Sequence, residues 1–146
     1  MPEFNILAIF LAGIVPNVLG ALYYGPLFGK PWLASLGYTA DDMKGRNEAL
    51  IYGGALALSL IIAFFLKMNI EFMHTDVIEE GNLAFQSFHT FKHGALHASM
   101  FGLTLVAPVI TALGLFQKNT GKNILLNVVF WVLCFAIMGG ILDVWN

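Results

Sequence analysis

The chain has 146 residues, of which 58% are hydrophobic and only 11% are charged, and its net charge is −2 at pH 7. A soluble domain carries about 25% charged residues, so this composition excludes an ordinary soluble domain and indicates an integral membrane protein. The sequence has no basic tail to support nucleic-acid binding. Its single cysteine, Cys134, excludes a disulfide framework and a zinc site built from cysteines.

The first apolar run covers residues 4–24 and is long enough for a transmembrane helix. Its only early charge is Glu3, whereas a secretory signal begins with a basic segment, so we predict a retained helix. Pro16 lacks a backbone N–H and predicts a kink near the middle of this helix. We expect the neighbouring Asn17 to bond a freed carbonyl or another helix, with a position along a transport pathway as the alternative.

Residues 23–32 read Tyr-Tyr-Gly-Pro-Leu-Phe-Gly-Lys-Pro-Trp. Gly-Pro and Lys-Pro interrupt a helix, and Tyr and Trp side chains suit the headgroup level of a membrane. The stretch therefore predicts an interfacial turn anchored by aromatic side chains. The alternative is a re-entrant loop that caps a cavity.

This first loop, followed by Gly37-Tyr38-Thr39 and an acidic pair, resembles a bacterial membrane family known as domain of unknown function 1761. The resemblance extends to the ending Met138-Gly139-Gly140-Ile141-Leu142-Asp143-Val144-Trp145 and so covers nearly the whole chain. It implies a small four-helix integral membrane protein and offers no activity. The residues of the first-loop motif are Tyr24, Gly25, Pro26, Phe28, Gly29, Lys30 and Trp32.

The second predicted helix covers residues 47–68. Thr39 with Asp42 three residues later is a helix N-cap signature, so a helix is expected to start there and to break near Gly45 or run on into this span. Gly53 and Ala57 are small residues at helical spacing, which predicts close packing of a neighbouring helix on that face.

The third predicted helix covers residues 83–116, after the break at Gly81-Asn82. It would be about 51 Å long, against a hydrocarbon core of about 30 Å, so its first part should project from the membrane. Gly94, Ala98 and Gly102 form a small-residue stripe that we expect to face protein, and Pro108 predicts a second kink.

The last predicted helix covers residues 122–145, which completes a single membrane domain over residues 1–146. Short links between four spans predict an all-α, up-down-up-down bundle with both termini on one side. Loops one and three carry more basic residues than the opposite side, which places them in the cytoplasm and both termini outside a bacterial inner membrane. The five basic residues of loops one and three are Lys30, Lys44, Arg46, Lys118 and Lys122.

Three histidines, His89, His93 and His97, recur every four residues within the third predicted helix. Imidazoles at this spacing can share a divalent transition metal, with His74, Glu79 and Glu80 as candidates for further ligands. Two alternatives stay open. In the first, the histidines are polar interfacial residues. In the second, they serve a proton-coupled or pH-sensing role.

No complete catalytic set or phosphate-binding glycine loop is present in the sequence, which disfavours an enzyme. The prediction is a non-catalytic oligomeric scaffold or accessory subunit, embedded in the lipid bilayer as a homo-oligomer or within a larger membrane complex. A small transporter or channel module is one alternative. A metal-binding membrane protein or metalloenzyme that uses the histidine stripe is the other.

Overall fold

The computed structural model describes residues 5–73, 75–77, 83–85 and 89–145, with side chains for 5–72 and 89–145. Two π-helical segments, Tyr23–Leu27 and Gly102–Val106, and a 3-10 turn, Asp41–Met43, join its helices, and a short antiparallel pair of strands follows α3. The α-helices are α1 (Ile6–Leu22), α2 (Gly29–Leu36), α3 (Glu48–Met73), α4 (Phe91–Phe101), α5 (Ala107–Phe116) and α6 (Gly121–Val144). The strands are β1 (Thr75–Val77) and β2 (Leu83–Phe85).

Four helical stretches in the described part of the chain are long and apolar enough to cross a membrane. They contain 22 to 26 residues each, and about 20 are needed to cross a hydrocarbon core of about 30 Å. The predicted helical fold class with four candidate transmembrane helices is therefore confirmed. The stretches are Ile6–Leu27, Glu48–Phe72, Phe91–Phe116 and Gly121–Val144.

The third span begins later than predicted. Residues 83–85 are not helical but form β2, which pairs with β1. The helix begins at Phe91, and the Thr90 hydroxyl caps it by accepting a hydrogen bond from the backbone N–H of His93 at 3.2 Å. The predicted start near Asn82 was wrong because residues 83–85 pair with β1, and Thr90 instead supplies the side-chain acceptor directly before the helical run. The span is consequently about 39 Å long, without the long projection that we predicted.

The second span also has its own cap. Asn47 accepts a hydrogen bond from the backbone N–H of Leu50 at 3.0 Å, and α3 starts at Glu48. The predicted signature at Thr39 instead closes a small turn, in which Asp42 accepts bonds from the Thr39 hydroxyl and N–H. Gly45, with φ +78°, separates that turn from α3, so the break near this glycine is the one of the two predicted alternatives that the structure shows.

The helix pair α4 and α6 is packed backbone to backbone. A Cβ atom added to Gly94 would lie 2.3 Å from the Gly139 carbonyl oxygen, and one on Gly139 would lie 2.2 Å from the Ala98 Cβ. Side chains larger than hydrogen at these two positions would therefore push the helices apart. Gly94, Ala98 and Gly102 are all buried, which confirms that this small-residue stripe faces protein.

Pro108 lies in the first turn of α5, directly after the π-helical segment Gly102–Val106. A proline inside a helix clashes with the carbonyl four residues earlier, and a wider π turn relieves that clash. Asn17 donates to the Tyr52 carbonyl of α3 at 3.0 Å, so it does bond a neighbouring helix.

The contacts between helix ends define two ends of the bundle. At the terminal end, the Asn5 amide at the start of α1 donates to the Trp145 carbonyl beyond α6 at 3.1 Å. At the opposite end, which we call the loop end, the Asn123 amide near the start of α6 donates to the Ser35 hydroxyl of α2 at 3.1 Å. The start of α4 lies at the terminal end because Gly94 is in contact with Gly139 and Asp143.

One predicted packing face is uncovered within the chain. A Cβ atom added to Gly53 would meet no described residue within 4 Å, and Ala57, one turn later on α3, is exposed. The neighbour that we predicted for this face is therefore not one of the described helices of the same chain.

Candidate functional site

Six ionisable side chains converge at the terminal end, where α3, the start of α4 and the last turn of α6 meet. We call this set the ionisable cluster. Its members are Lys67, Glu71, His89, His93, His97 and Asp143. Lys67 and Asp143 are both 0% exposed, although Lys and Asp are among the residue types that are least often fully buried. Ionisable residues within membrane-spanning helices are costly and usually functional, so the cluster is the first candidate site.

The α3 part of the cluster is an ion pair. Lys67 Nζ lies 2.6 Å from Glu71 Oε1, one helical turn later, and also donates to the Leu142 carbonyl of α6 at 3.2 Å. A buried pair loses the solvation of both charges, so it needs close geometry and further hydrogen bonds to be tolerated. The bond to Leu142 meets that need and also ties α3 to the residue next to Asp143.

The α6 part of the cluster is Asp143, which lies between two imidazoles. Its Oδ1 is 3.2 Å from His89 Nδ1, and its Oδ2 is 3.5 Å from His93 Nδ1. The C-terminal end of a helix carries a partial negative charge, so a carboxylate in the last turn of α6 is unfavourable by itself. The two imidazoles lie close enough to offset that charge, and His89 Nδ1 is within hydrogen-bonding distance of the carboxylate.

The third part of the cluster is the contact between His93 and His97. Their Nε2 atoms lie 2.9 Å apart, with ring centroids at 4.4 Å and the planes nearly perpendicular. At this distance one nitrogen must carry the proton and the other must accept it. With Asp143 and His89, the four groups form a continuous series, which we call the imidazole–carboxylate chain.

The structure brings the three predicted histidines together, with His93 and His97 in contact along α4 and His89 joined to them through Asp143. His89 precedes the Thr90 cap and approaches Asp143 from outside α4. The proposed further ligands His74, Glu79 and Glu80 lie outside the described residues. Our sequence reasoning missed the roles of Lys67 and Asp143. The signal that was available is an ionisable residue inside an apolar run, together with a partner one turn away in the case of Lys67.

A metal centre gains no support from the described part of the chain. Over residues 5–73 and 89–145, no group of three or more His, Cys, Asp or Glu side chains is arranged to hold a metal ion. The assignment of His89, His93 and His97 as metal ligands therefore stays a prediction.

The first-loop motif forms a second organised region, at the loop end. Gly29 begins α2 where a Cβ atom would lie 2.6 Å from the Tyr24 carbonyl oxygen, so only glycine fits this close approach. The rings of Tyr24 and Trp32 are 5.0 Å apart, and Phe130 of α6 lies 4.8 Å from Tyr24. The motif thus folds the chain back onto α6 through aromatic contacts.

A polar ladder fixes the same loop to α6. The Tyr24 hydroxyl donates to Asn127 Oδ1 at 2.7 Å, and the Asn127 amide donates to Asn123 Oδ1 at 3.1 Å. Asn123 then donates to the Ser35 hydroxyl, which itself donates to the Trp32 carbonyl at 2.6 Å. Each polar side chain of the ladder has a partner, so we interpret the ladder as a structural anchor for the loop.

One family model, described as a protein of unknown function (DUF1761), matches residues 7–143. The match covers nearly the whole chain, including the first-loop motif and Asp143, and it confirms the resemblance that the motif suggested. No curated protein and no solved structure matches the chain.

Proposed function

The chain belongs to this family of proteins of unknown function, and from the geometry we propose that it is a multi-pass membrane protein in which the imidazole–carboxylate chain binds and transfers a proton. The observation that carries the proposal is the series His97, His93, Asp143 and His89, in which two separations of 2.9 and 3.2 Å are within hydrogen-bonding distance. The link between them, from His93 to Asp143, is a contact of 3.5 Å. Intramembrane His and Asp side chains arranged in series are a recurring form of proton relay.

The two ring nitrogens of His93 suit it to the middle of such a relay. Its Nδ1 faces Asp143 and its Nε2 faces His97. A neutral imidazole has one donor and one acceptor nitrogen, so it can take a proton on one side and release one on the other. His89 is partly exposed, with 26% of its side chain accessible, and supplies the outer end of the series.

The formal charges around the relay do not sum to zero while the imidazoles are neutral. With neutral imidazoles, the cluster holds the two carboxylates of Glu71 and Asp143 against the single ammonium of Lys67. One added proton, shared among His89, His93 and His97, would bring the sum to zero. A buried site of zero net charge has a smaller desolvation cost than a charged one.

Among the described side chains, the relay does not continue past His97 into the bundle. Beyond His97, a Cβ atom on Gly102 would lie 3.2 Å from the Val132 Cα and 3.4 Å from the Phe135 Cβ, so α4 and α6 are packed there by apolar groups. A relay that stops at His97 suits a proton-coupled transport step or a pH-sensing role better than an open proton channel. This refines the transporter alternative and leaves its substrate open.

We propose further that the four spans alternate across the bilayer, with the loop end in the cytoplasm. The contacts of Asn5 with Trp145 and of Asn123 with Ser35 support the alternation. The five basic residues of loops one and three support the orientation under the positive-inside rule. The relay would then open to the outside of a bacterial inner membrane.

Potentiometric proton uptake between pH 5 and pH 8, on protein in lipid nanodiscs, tests the relay. We expect the Asp143→Asn variant to lose most of the uptake of the cluster, because the relay loses the carboxylate that lies between His89 and His93. Asp41→Asn is the matched control, since Asp41 is an exposed carboxylate at the loop end that pairs with Lys44 at 2.6 Å.

Equal uptake by the wild type and the Asp143→Asn variant, with both monodisperse, would refute the relay. The non-catalytic scaffold would then be the better proposal. Elemental analysis of the same samples, purified without a histidine tag or chelator, decides whether a divalent metal is present, which is the remaining alternative for these histidines.

The homo-oligomer is a separate proposal. It is supported by the exposed small-residue face of Gly53 and Ala57, where no described helix of the chain covers α3. Small residues one turn apart let two membrane helices approach closely. Cross-linking in native lipid extracts should capture a dimer that a Gly53→Leu variant loses. A strictly monomeric wild-type protein would contradict the proposal.

A further inference from the structure

A cavity lies at the loop end, apart from the ionisable cluster. It has a volume of about 510 Å³ and is lined by residues of α1, α3, the first-loop motif and α6. This volume falls in the range of about 300–1,000 Å³ that is typical of sites for small ligands. Tyr24 and Trp32 of the motif, Phe130 of α6, and Pro16 of α1 form part of its wall.

The cavity is an elongated slot along α3. Its lining on that helix extends from Glu48 at the loop end to Ser59. At 1.5 Å per residue this is a length of about 16 Å, close to half of a hydrocarbon core of about 30 Å. The slot therefore reaches from the level of the lipid headgroups to the middle of the span, which is the path of one acyl chain in one leaflet.

Two polar side chains along the slot are already engaged with protein. The Asn17 amide donates to the Tyr52 carbonyl at 3.0 Å, and the Tyr24 hydroxyl donates to Asn127 at 2.7 Å. A polar ligand would have to displace these bonds, whereas a hydrocarbon chain leaves them intact. The interior of the slot thus favours an apolar occupant.

The mouth of the slot presents a cation. The Arg46 guanidinium donates to the thioether of Met43 at 2.7 Å, which is a weak acceptor, so Arg46 keeps strong donors for an anion. Its neighbour Lys44 is paired with Asp41. The carboxylate of Glu48 lies in the first turn of α3, where the helix dipole stabilises it.

We propose that this slot binds one membrane phospholipid with an anionic headgroup, with an acyl chain between α1 and α3 and the phosphate at Arg46. The slot length, its apolar lining and the cation at its mouth carry the assignment together. The proposal gives the first-loop motif a role as one wall of a lipid site. It is independent of the proton relay, which lies at the terminal end.

Native mass spectrometry tests the site on the purified protein in detergent, with phosphatidylglycerol and phosphatidylcholine of identical acyl chains added in equal amounts. We expect preferential retention of phosphatidylglycerol. The Arg46→Gln variant should lose this preference by about tenfold, the effect of one charge-assisted hydrogen bond. The Ala55→Phe variant places a ring in the slot and should reduce the retention of both lipids.

Matched controls separate these effects from general changes in the protein. Lys44→Gln removes a cation of the same loop that does not line the slot, and Ala112→Phe adds the same ring to an exposed position of α5 away from the slot. Both should retain lipid as the wild type does. Equal retention of the two lipids by the wild type would overturn the proposal. So would unchanged retention in a monodisperse Ala55→Phe variant, since the lipid would then lie outside the slot.

Discussion

His89 Nδ1 lies 3.2 Å from Asp143 Oδ1, although 54 residues separate them in the sequence. The contact joins the residue just before the α4 cap to the last turn of α6. It can form because Gly94 and Gly139 let the two helices touch through their backbones nearby. We call the close packing of α4 on α6 at Gly94 and Gly139 the small-residue seam. This seam and the ionisable cluster belong to one arrangement, because the close approach of the helices brings a carboxylate within reach of two imidazoles.

The stability of the protein should depend strongly on the presence of both partners of the buried ion pair of α3. We expect Lys67→Met to lower the free energy of unfolding by about 3–5 kcal/mol, because it leaves Glu71 as an uncompensated buried charge. The double variant Lys67→Met/Glu71→Leu should be clearly more stable than Lys67→Met alone. Reversible unfolding in mixed micelles measures both. A double variant that is as unstable as the single one would contradict this account.

The α4–α6 seam should be intolerant of a single methyl group. A Cβ atom on Gly139 would lie 2.2 Å from the Ala98 Cβ and 2.4 Å from the Gly94 carbonyl oxygen, and we expect Gly139→Ala to cost about 1–3 kcal/mol. Gly121→Ala is the control for the same substitution in the same helix, since a Cβ atom there meets no described residue within 4 Å.

The comparison of the Gly139→Ala variant with its control is made by thermal unfolding in one detergent. The Gly139→Ala variant should also weaken the contact of His89 with Asp143, because the helices must separate where they hold the cluster. An unchanged midpoint of thermal unfolding for Gly139→Ala would show that the two helices can separate at this position without a loss of stability.

How much of this arrangement can be predicted from the sequence depends on how far apart in the chain the interacting residues lie. The four spans follow from apolar runs, and the small stripe of Gly94 and Ala98 follows from helical spacing, which are both local properties. The start of α4 at Phe91 could not be separated from one near Asn82, since both have a suitable cap and only the pairing of β1 with β2 decides between them.

The cluster itself was only half predictable. The histidines stand out because they recur every four residues. Asp143 and Lys67 stand out less, since one charge within a long apolar run barely changes its hydropathy. The contacts that place them in the cluster are made with other helices. The contact of Lys67 with Leu142 spans 75 residues, so no local pattern indicates it.

The polar ladder at the loop end should contribute modestly to stability. Tyr24→Phe removes the hydroxyl that donates to Asn127, and we expect a loss of about 0.5–1.5 kcal/mol in the free energy of unfolding. Tyr38→Phe is the matched control, because Tyr38 is about half exposed and belongs to the same loop region. A loss of the same size in both variants would mean that the Tyr24–Asn127 bond adds nothing of its own.

The turn before α3 should respond to acid through Asp42. Hydrogen bonds from the Thr39 hydroxyl and the Thr39 N–H hold the pKa of the Asp42 carboxyl below its ordinary value. The folded pKa is thus the lower one, so the contribution of this carboxylate to stability is present above its ordinary pKa and is lost as the pH falls through the folded value.

The Thr39→Val variant removes the hydroxyl bond and keeps the backbone one, so the pKa of Asp42 should rise towards its ordinary value without reaching it. Carbon-13 NMR of the labelled aspartate carboxyl groups, titrated from neutral to acidic pH, measures the shift. The exposed Asp41 in the same turn serves as the internal control and should titrate alike in both proteins. An unchanged Asp42 titration would show that the hydroxyl of Thr39 does not stabilise the carboxylate in solution.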